Sequence, residues 1–541
     1  MSNAHYDVII IGAGISGMYQ LWKLRQLGLS VRVFEAGSGV GGTWYWNRYP
    51  GCRFDSESYS YGYSFSKEIL DEWDWSEHFA PQPETLKYLN FVADKLDVRK
   101  DITFHARVKS AVFDDSTTRW TIELEDGSKA DAGILISATG PLSAPQMPNI
   151  PGVSDYQGEA FHTGMWPRDP DGYGPANISF AGKRVGVLGT GATGVQVIQE
   201  VAKSAGQLFV FQRTPNWCAP LLNSKIDADT QKTIHATYDQ IFKQCAESMG
   251  NFLHKNDPRS ALEVSDAERE AFFEKLYASP GFGIWLGTFR DVLTDQQAND
   301  YASDFIARKI RARVKDPLLA EKLIPKDHGF GLRRVPMETH YYECYNQPNV
   351  TLVDIKESPI ERITAKGIKT RDAEYELDII IYATGFEAVT GALARIDIRG
   401  VGGKTLKEKW ADGPQTYLGM QTTGFPNFFT LVGPNNGSTF CNIPRCIEQN
   451  VEWLTDLIAD MQAKGLKRVE PTEAAEVAWT DHVDDTARAT LFPTVNSWFM
   501  GVNENIPGRK KKFMLYAGGF PLYRQKCAEI AANGYEGFER A

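Results

Sequence analysis

Val8-Ile9-Ile10-Ile11-Gly12-Ala13-Gly14-Ile15-Ser16-Gly17 and Val185-Gly186-Val187-Leu188-Gly189-Thr190-Gly191-Ala192-Thr193-Gly194 are two copies of one pattern: a buried-strand run opening into Gly-x-Gly-x-x-Gly. The first glycine allows a tight turn, the second lets a pyrophosphate approach the backbone, and the third lets the following helix pack closely on the strand. The helix N-terminus then faces the phosphates. A helix follows the first copy, with Met18, Leu21, Leu24 and Leu27 along one face. Each copy leads to a second strand, Val31 to Phe34 and Leu208 to Phe211. Glu35 and Gln212 stand the same distance beyond the third glycine of their copies. A carboxylate at that place accepts hydrogen bonds from ribose hydroxyls. An uncharged residue followed by Arg213 and Thr214 suits a ribose with a 2′-phosphate. The first turn is therefore expected to hold FAD and the second NADPH. The fold class follows: α/β, with two Rossmann-like dinucleotide-binding domains.

At 541 residues the chain has room for two to four cores. Its 42% hydrophobic and 23% charged content is that of an ordinary globular protein. A formal charge of −10 argues against nucleic acid or an anionic membrane as partner. No apolar run is long enough for a bilayer, and Met1 to His5 lack a signal-peptide pattern, so a cytoplasmic location is the default expectation. A monomer is expected. Seven cysteines without regular spacing argue against a disulfide framework. Cys441 and Cys446 have the C-x4-C spacing of flavin-dependent disulfide reductases, but those enzymes place the pair soon after the FAD glycines, where this chain reads Gly41-Gly42-Thr43-Trp44. Reduced thiols are expected there, and no metal site.

A second echo, Ala138-Thr139-Gly140 and Ala383-Thr384-Gly385, closes the apolar strands Ile134 to Ile136 and Ile379 to Ile381. Pro141 to Pro151 is rich in proline and small residues, as a domain crossing should be. The expected organisation is an FAD-binding domain (1–145), an NADP-binding domain (146–220), a helical insertion (221–328), a second NADP part (329–385) and a second FAD part (386–541). The insertion carries helices over Ser265 to Ala278 and Ala298 to Val314, and the last part includes a strand from Phe428 to Val432 and a mobile loop near 494–508. Disulfide reductases usually carry aspartate where Pro434 stands. The basic run Arg509 to Lys512 reads as a solvated loop.

After the linker, Tyr156-x-Gly158-x-x-x-His162-x-x-x-Trp166-Pro167 resembles the F-x-G-x-x-x-H-x-x-x-W fingerprint of type I Baeyer-Villiger monooxygenases, with tyrosine leading. Gly41, Gly42, Trp44, Tyr49, Pro50, Gly51 and Asp55 match a second signature of that family. The resemblance runs over nearly the whole chain and is close to phenylacetone, steroid and cyclohexanone monooxygenases. It implies an NADPH- and O2-dependent flavoenzyme that converts ketones to esters or lactones through a C4a-peroxyflavin. His162 reads as a hydrogen-bonded linker histidine without a part in bond making.

The resemblance also assigns residues. Arg334, in Phe330-Gly331-Leu332-Arg333-Arg334, matches the family's active-site arginine, and Asp55 would orient it. Guanidinium stays charged and offers several donors, so it suits an anionic oxygen. The FAD contacts implied are Gly12, Gly14, Gly17, Glu35, Thr43, Trp44, Tyr45, Trp46, Asp55, Tyr61 and, through backbone, Val108. Those for NADP are Arg53, Asp55, Gly189, Thr190, Gly191, Ala192, Thr193, Gly194, Arg213, Thr214, Arg333, Arg334 and Trp498. The segment Ser497 to Pro507 reads Gly501-Val502-Asn503-Glu504-Asn505-Ile506-Pro507-Gly508 at its end, two residues longer than the commoner pattern. Glu387 stands where aspartate is usual. The ketone pocket is expected between the flavin, the insertion and residues near Phe440 to Arg445. A heteroatom-oxygenating flavin enzyme, an NADPH-dependent reductase and a non-catalytic NADPH-binding module remain as alternatives. Trp166 and the long insertion favour ketone oxygenation over oxygenation of nitrogen or sulfur.

Overall fold

Four consecutive apolar residues before each glycine turn suit strands covered on both faces, and each becomes an interior strand of a largely parallel sheet. The computed structural model describes residues 4–437, 441–502 and 510–541. In chain order the strands of the two large sheets are β1 (Ala4–Ile11), β2 (Val31–Phe34), β3 (Ile102–Thr103), β4 (Val108–Asp114), β5 (Arg119–Leu124), β6 (Lys129–Ser137), β7 (Glu159–His162), β8 (Arg184–Leu188), β9 (Gln207–Gln212), β10 (Val350–Asp354), β11 (Ile379–Tyr382), β12 (Asp397–Arg399) and β13 (Phe428–Thr430). The first sheet runs β12-β4-β5-β6-β1-β2-β3, with β13 also on β6. The second runs β10-β9-β8-β11-β7. Val8 and Ile10 enter one hydrophobic cluster and Ile9 and Ile11 another, so alternate residues of β1 serve opposite faces.

The first sheet is built from distant stretches of chain. β13 lies parallel to the end of β6, with Phe428 opposite Leu135 and Thr430 opposite Ser137. β12 lies parallel to β4. The strand expected from Phe428 to Val432 ends at Thr430. Val432 takes a positive φ of 57°, which a strand cannot hold, and the chain turns there.

Between Pro220 and Met337 the chain forms helices Ala228–Glu247, Asp266–Tyr277, Gly283–Leu286, Gln296–Arg313 and Pro317–Leu323, and no strand. Ser265 caps its helix reciprocally with Glu268, which fixes where the helix starts. Ala219 pairs in parallel with Met337, so this helical stretch leaves and rejoins the body at adjacent points.

One expectation needs correction. Cys441 and Cys446 are joined as a disulfide instead of standing as reduced thiols. They flank the first turn of helix Ile443–Lys464, whose curvature returns Cys446 to the side where Cys441 enters. The other five cysteines are buried and unbridged.

Candidate active site

Both glycine turns are shaped by contacts with the second echo. Gly12 and Gly189 each adopt φ +105°. A side chain at Gly12 would stand 2.6 Å from the Ala138 carbonyl oxygen, and one at Gly189 would stand 2.5 Å from that of Ala383. Gly17 and Gly194 are pressed onto the carbonyls of Gly12 and Gly189. The middle glycines differ: Gly14 lies against Gly42, while the Cβ direction of Gly191 is open. Helices Ile15–Gln26 and Ala192–Val201 begin at Gly14 and Gly191 with no side-chain cap and no acidic residue in the first turn. Their leading N–H groups can therefore face a phosphate, and the helix dipole favours one there. The residues present fit a pyrophosphate at each turn.

The strand-end residues diverge as their chemistry requires. Glu35 is buried, and its two oxygens accept from Ala13 N at 2.8 Å and Gly37 N at 2.7 Å. Burial pushes its carboxyl above the usual range, against the pull of those N–H groups. Ala106 N donates to the Glu35 carbonyl at 2.9 Å, which ties the approach to Val108 to this site. Arg213 is exposed at the end of β9, and Thr190 Oγ1 donates to the Thr214 carbonyl at 2.9 Å. Thr43, Trp44, Tyr45 and Trp46 form one short helix after Gly42. Trp44 Nε1 donates to Tyr61 Oη at 3.1 Å and its ring meets Phe54 edge-on, whereas Tyr45 lies against the Gly37–Gly39 turn. Trp44 and Tyr61 are thus brought together, and Tyr45 instead supports the turn after Glu35.

Arg334 and Asp55 meet across 279 residues. Arg334 Nη1 lies 2.6 Å from Asp55 Oδ2, and the Asp55 side chain is fully buried. The same oxygen accepts from Met337 N at 3.2 Å, and Gln196 Nε2 approaches Oδ1 at 3.5 Å. The Arg334 side chain keeps 30% exposure and lies 5.7 Å over the Phe282 ring. Arg333 pairs with Asp327 at 3.3 Å. A hydrogen bond from His328 holds the Asp327 carboxyl down at about 2, ionised at any working pH. A cleft of about 400 Å³ opens beside this loop between Trp217, His328, Leu332 and Val495; neither Arg334 nor Asp55 lines it.

Some expected contacts differ in detail. The Arg53 guanidinium turns to Glu77 and the Phe79 carbonyl, both at 3.1 Å, so the group facing the second turn's helix is the Arg53 carbonyl, which accepts from Gln196 Nε2. Trp498 is half-buried in a short turn and edge-on to Phe499. Phe440 and Asn503 to Arg509 lie outside the described residues. Arg445 is buried against Glu448 and the Gly62 carbonyl. His162 ends β7, where its Nδ1 accepts from Gly164 N at 3.0 Å and its ring is edge-on to Phe386. Burial holds it below the usual histidine range.

Gln196 was not anticipated. It accepts from Tyr49 Oη at 2.7 Å while donating to Arg53 O, and Gly51 fits with φ +82° against the Gln196 carbonyl. Its signal was present: Gln196 and Gln199 stand three apart in the run Val195 to Gln199, and both are buried, as residues with fixed polar partners are. Phe282, the ring beneath Arg334, lies in a helical region whose periodicity carries no such mark.

The family profile for flavin-binding monooxygenase-like proteins matches residues 5–298. The chain is 51% identical to 2-oxo-Δ3-4,5,5-trimethylcyclopentenylacetyl-CoA monooxygenase of Pseudomonas putida, over 99% of this chain and 98% of that one. It is 44% identical to a phenazine N-monooxygenase of Lysobacter antibioticus, over 99% and 97%. A crystal structure of OTEMO in complex with FAD and NADP superposes with a TM-score of 0.96, 51% identity and full coverage of both chains.

Proposed function

The chain belongs to the flavin-binding monooxygenase-like family, and from that membership we propose which of its residues carry the reaction and what they take as substrate. It is an FAD-containing, NADPH- and O2-dependent Baeyer-Villiger monooxygenase. Ketone, O2, NADPH and a proton give ester or lactone, NADP+ and water. Bulky or cyclic ketones are the substrate class we favour, in keeping with the ring ketone named for the 51% relative.

The observation that carries the residue assignment is the Arg334–Asp55 pair, which stands where the segment after the first turn meets the helix of the second. Bound FAD supplies the redox chemistry, accepting hydride from NADPH and activating O2 for transfer of one oxygen atom to the ketone. Gly12, Gly14, Gly17 and Glu35 would hold its pyrophosphate and ribose, with Trp44 and Tyr61 as an aromatic wall. Gly189 to Gly194 would take the NADPH pyrophosphate, with Arg213, Thr214 and Arg333 at its 2′-phosphate. Arg334 donates hydrogen bonds to the negative charge that develops on the ketone's carbonyl oxygen, which a preorganised cation stabilises most where water is excluded. Asp55 holds the guanidinium in place with its one buried carboxylate. Trp498 would stand at the nicotinamide side. Residues 1–145 with 386–541, and 146–220 with 329–385, form the FAD and NADP domains around an insertion at 221–328; the membership of each sheet supports this division.

The 44% relative named for N-oxygenation favours a second reading, attack on an aromatic ring nitrogen. Oxygen uptake and product mass, measured over a panel of ketones and N-heterocycles, separate the two. We expect one O2 per NADPH and an ester 16 mass units above its ketone. In Arg334→Ala, ester formation should fall by about 10²–10³-fold while anaerobic flavin reduction persists. That variant should also melt lower, because Asp55 keeps a buried charge without its cation. Undiminished ester formation would remove Arg334 from the mechanism.

A further inference from the structure

Two residues beyond Asp55, Glu57 is buried with its carboxylate aimed at the helical region. Glu57 Oε1 lies 2.9 Å from His254 Nε2, and the exposures of the two side chains are 8% and 18%. Glu57 Oε2 is buried with no hydrogen-bond partner among the described residues, so His254 is the one polar side chain that fixes this carboxylate.

The turn that carries Phe282 packs against both members of this pair. Gly281, at φ +68°, lies so close to the carboxylate that a side chain would stand 3.3 Å from Glu57 Oε1. On the other side of Phe282, Gly283 approaches the His254 ring, at 3.7 Å by the same measure. Phe282 stacks edge-on against Phe252, 5.2 Å away and two residues from His254, and against Trp285 at 5.6 Å. Trp285 Nε1 donates to the Gly331 carbonyl at 3.2 Å, in the loop that ends with Arg334. The path therefore closes: Arg334 to Asp55, along the chain to Glu57, across to His254 and Phe252, over to Phe282 and back beneath the Arg334 guanidinium.

Building on the functional reading above, we propose that Glu57 and His254 are positioning residues that register the aromatic wall of the helical insertion against Arg334 and so set the site's affinity for the ketone. A guanidinium that must stabilise a carbonyl oxygen needs the carbon skeleton held at a fixed distance, and small misplacements are costly in rate. Here the apolar surface comes from one part of the chain and the cation from another. The buried hydrogen bond is what locks the two together, since leaving either partner unsatisfied costs more than the bond itself contributes.

The test uses full-length holoenzyme, with cyclohexanone and a larger cyclic ketone as probes. In His254→Ala, KM for the ketone should rise at least fivefold, and calorimetric affinity of the oxidised enzyme for the same ketone should fall in step. KM for NADPH should rise less than that for the ketone, because the path reaches Arg334 and Asp55 but not Arg213 or Thr214, where the 2′-phosphate would be held. More of the NADPH consumed should end as hydrogen peroxide and less as ester. His254→Gln keeps a donor for Glu57 and should restore ketone KM to within twofold of wild type. Glu57→Ala should behave as His254→Ala, and the double variant should be no worse than either alone. Unchanged ketone KM and affinity in His254→Ala, beside normal ester formation by the wild type, overturn this inference and leave the functional reading intact. A KM for NADPH that rises equally, or failure of His254→Gln to rescue a stably folded enzyme, also overturns it. A wild type that oxidises NADPH but oxygenates no ketone overturns both.

Discussion

Arg213 is exposed just after Gln212, which ends β9 at the place where Glu35 stands as a buried carboxylate in the first sheet. Under the proposed assignment, the two residues oppose one another in charge because their ligands would. A phosphate needs a solvent-reachable cation with several donors, whereas ribose hydroxyls need a fixed acceptor. Charge-assisted bonds of this kind contribute about 1.5–3 kcal/mol, so Arg213→Ala should raise KM for NADPH by about 10–100-fold. KM for NADH should barely move. Steady-state kinetics with both coenzymes decide it, and equal losses would remove the phosphate argument. These residues were legible because chemistry and position are both written locally, at a set offset from a glycine turn. Gln196 and Phe282 were not, since each matters through what lies opposite it well beyond any local spacing, Arg53 and Asp55 more than 100 positions away for one and Arg334 some 50 positions away for the other.

Among elements, the strap that begins with Tyr156 shows how a fingerprint can be taken up in contacts that brace the fold. Tyr156 Oη donates to the Leu377 carbonyl, Gly158 leaves room for the Tyr156 ring to fold back, and His162 ends edge strand β7 in register with Tyr382. All of this braces the place where the chain crosses between sheets. Because burial holds His162 below about 6.5, its usual value, the ring stays neutral in the fold while the unfolded chain takes up a proton. Stability is therefore fully present above that value and is lost as pH falls towards the folded pKa. Replacing His162 with Gln keeps an acceptor for Gly164 N and removes the titration, so its melting temperature should fall less than the wild type's between pH 7 and pH 5. Calorimetry at the two pH values checks this, and parallel curves would exclude His162 as the source. Helix starts such as Ser265 were readable because a cap is a local event. The end of β13 and the Cys441–Cys446 bridge were not, because the first depends on how the chain turns after leaving a strand and the second on how it enters a helix.

At the scale of the molecule, the repeat of one turn forecast two sheets, and the echo at Ala138 and Ala383 forecast where strands close before the chain crosses between domains. It did not forecast how strongly the two halves are bolted together through Gly51, Tyr49 and Gln196, because glycine reads as flexibility until the carbonyl it must clear is seen. Nor could it show that β6 waits for β13, which reaches it only after some 290 further residues. A chain ended before Phe428 should keep a protease-resistant second sheet and retention on a 2′,5′-ADP resin, but should lose flavin. Limited proteolysis and absorbance near 450 nm would show it, and a yellow truncated protein would contradict it. Trp120 Nε1 donates to the Pro426 carbonyl and Asn427 to the Gly133 carbonyl, so the late strand also brings the bonds that seal the early one. During synthesis on the ribosome, then, the segment that emerges first is the last to be finished. Until β13 emerges, the Leu135–Ser137 end of β6 keeps unpaired backbone groups, the kind of open edge at which a nascent chain is exposed to wrong partners.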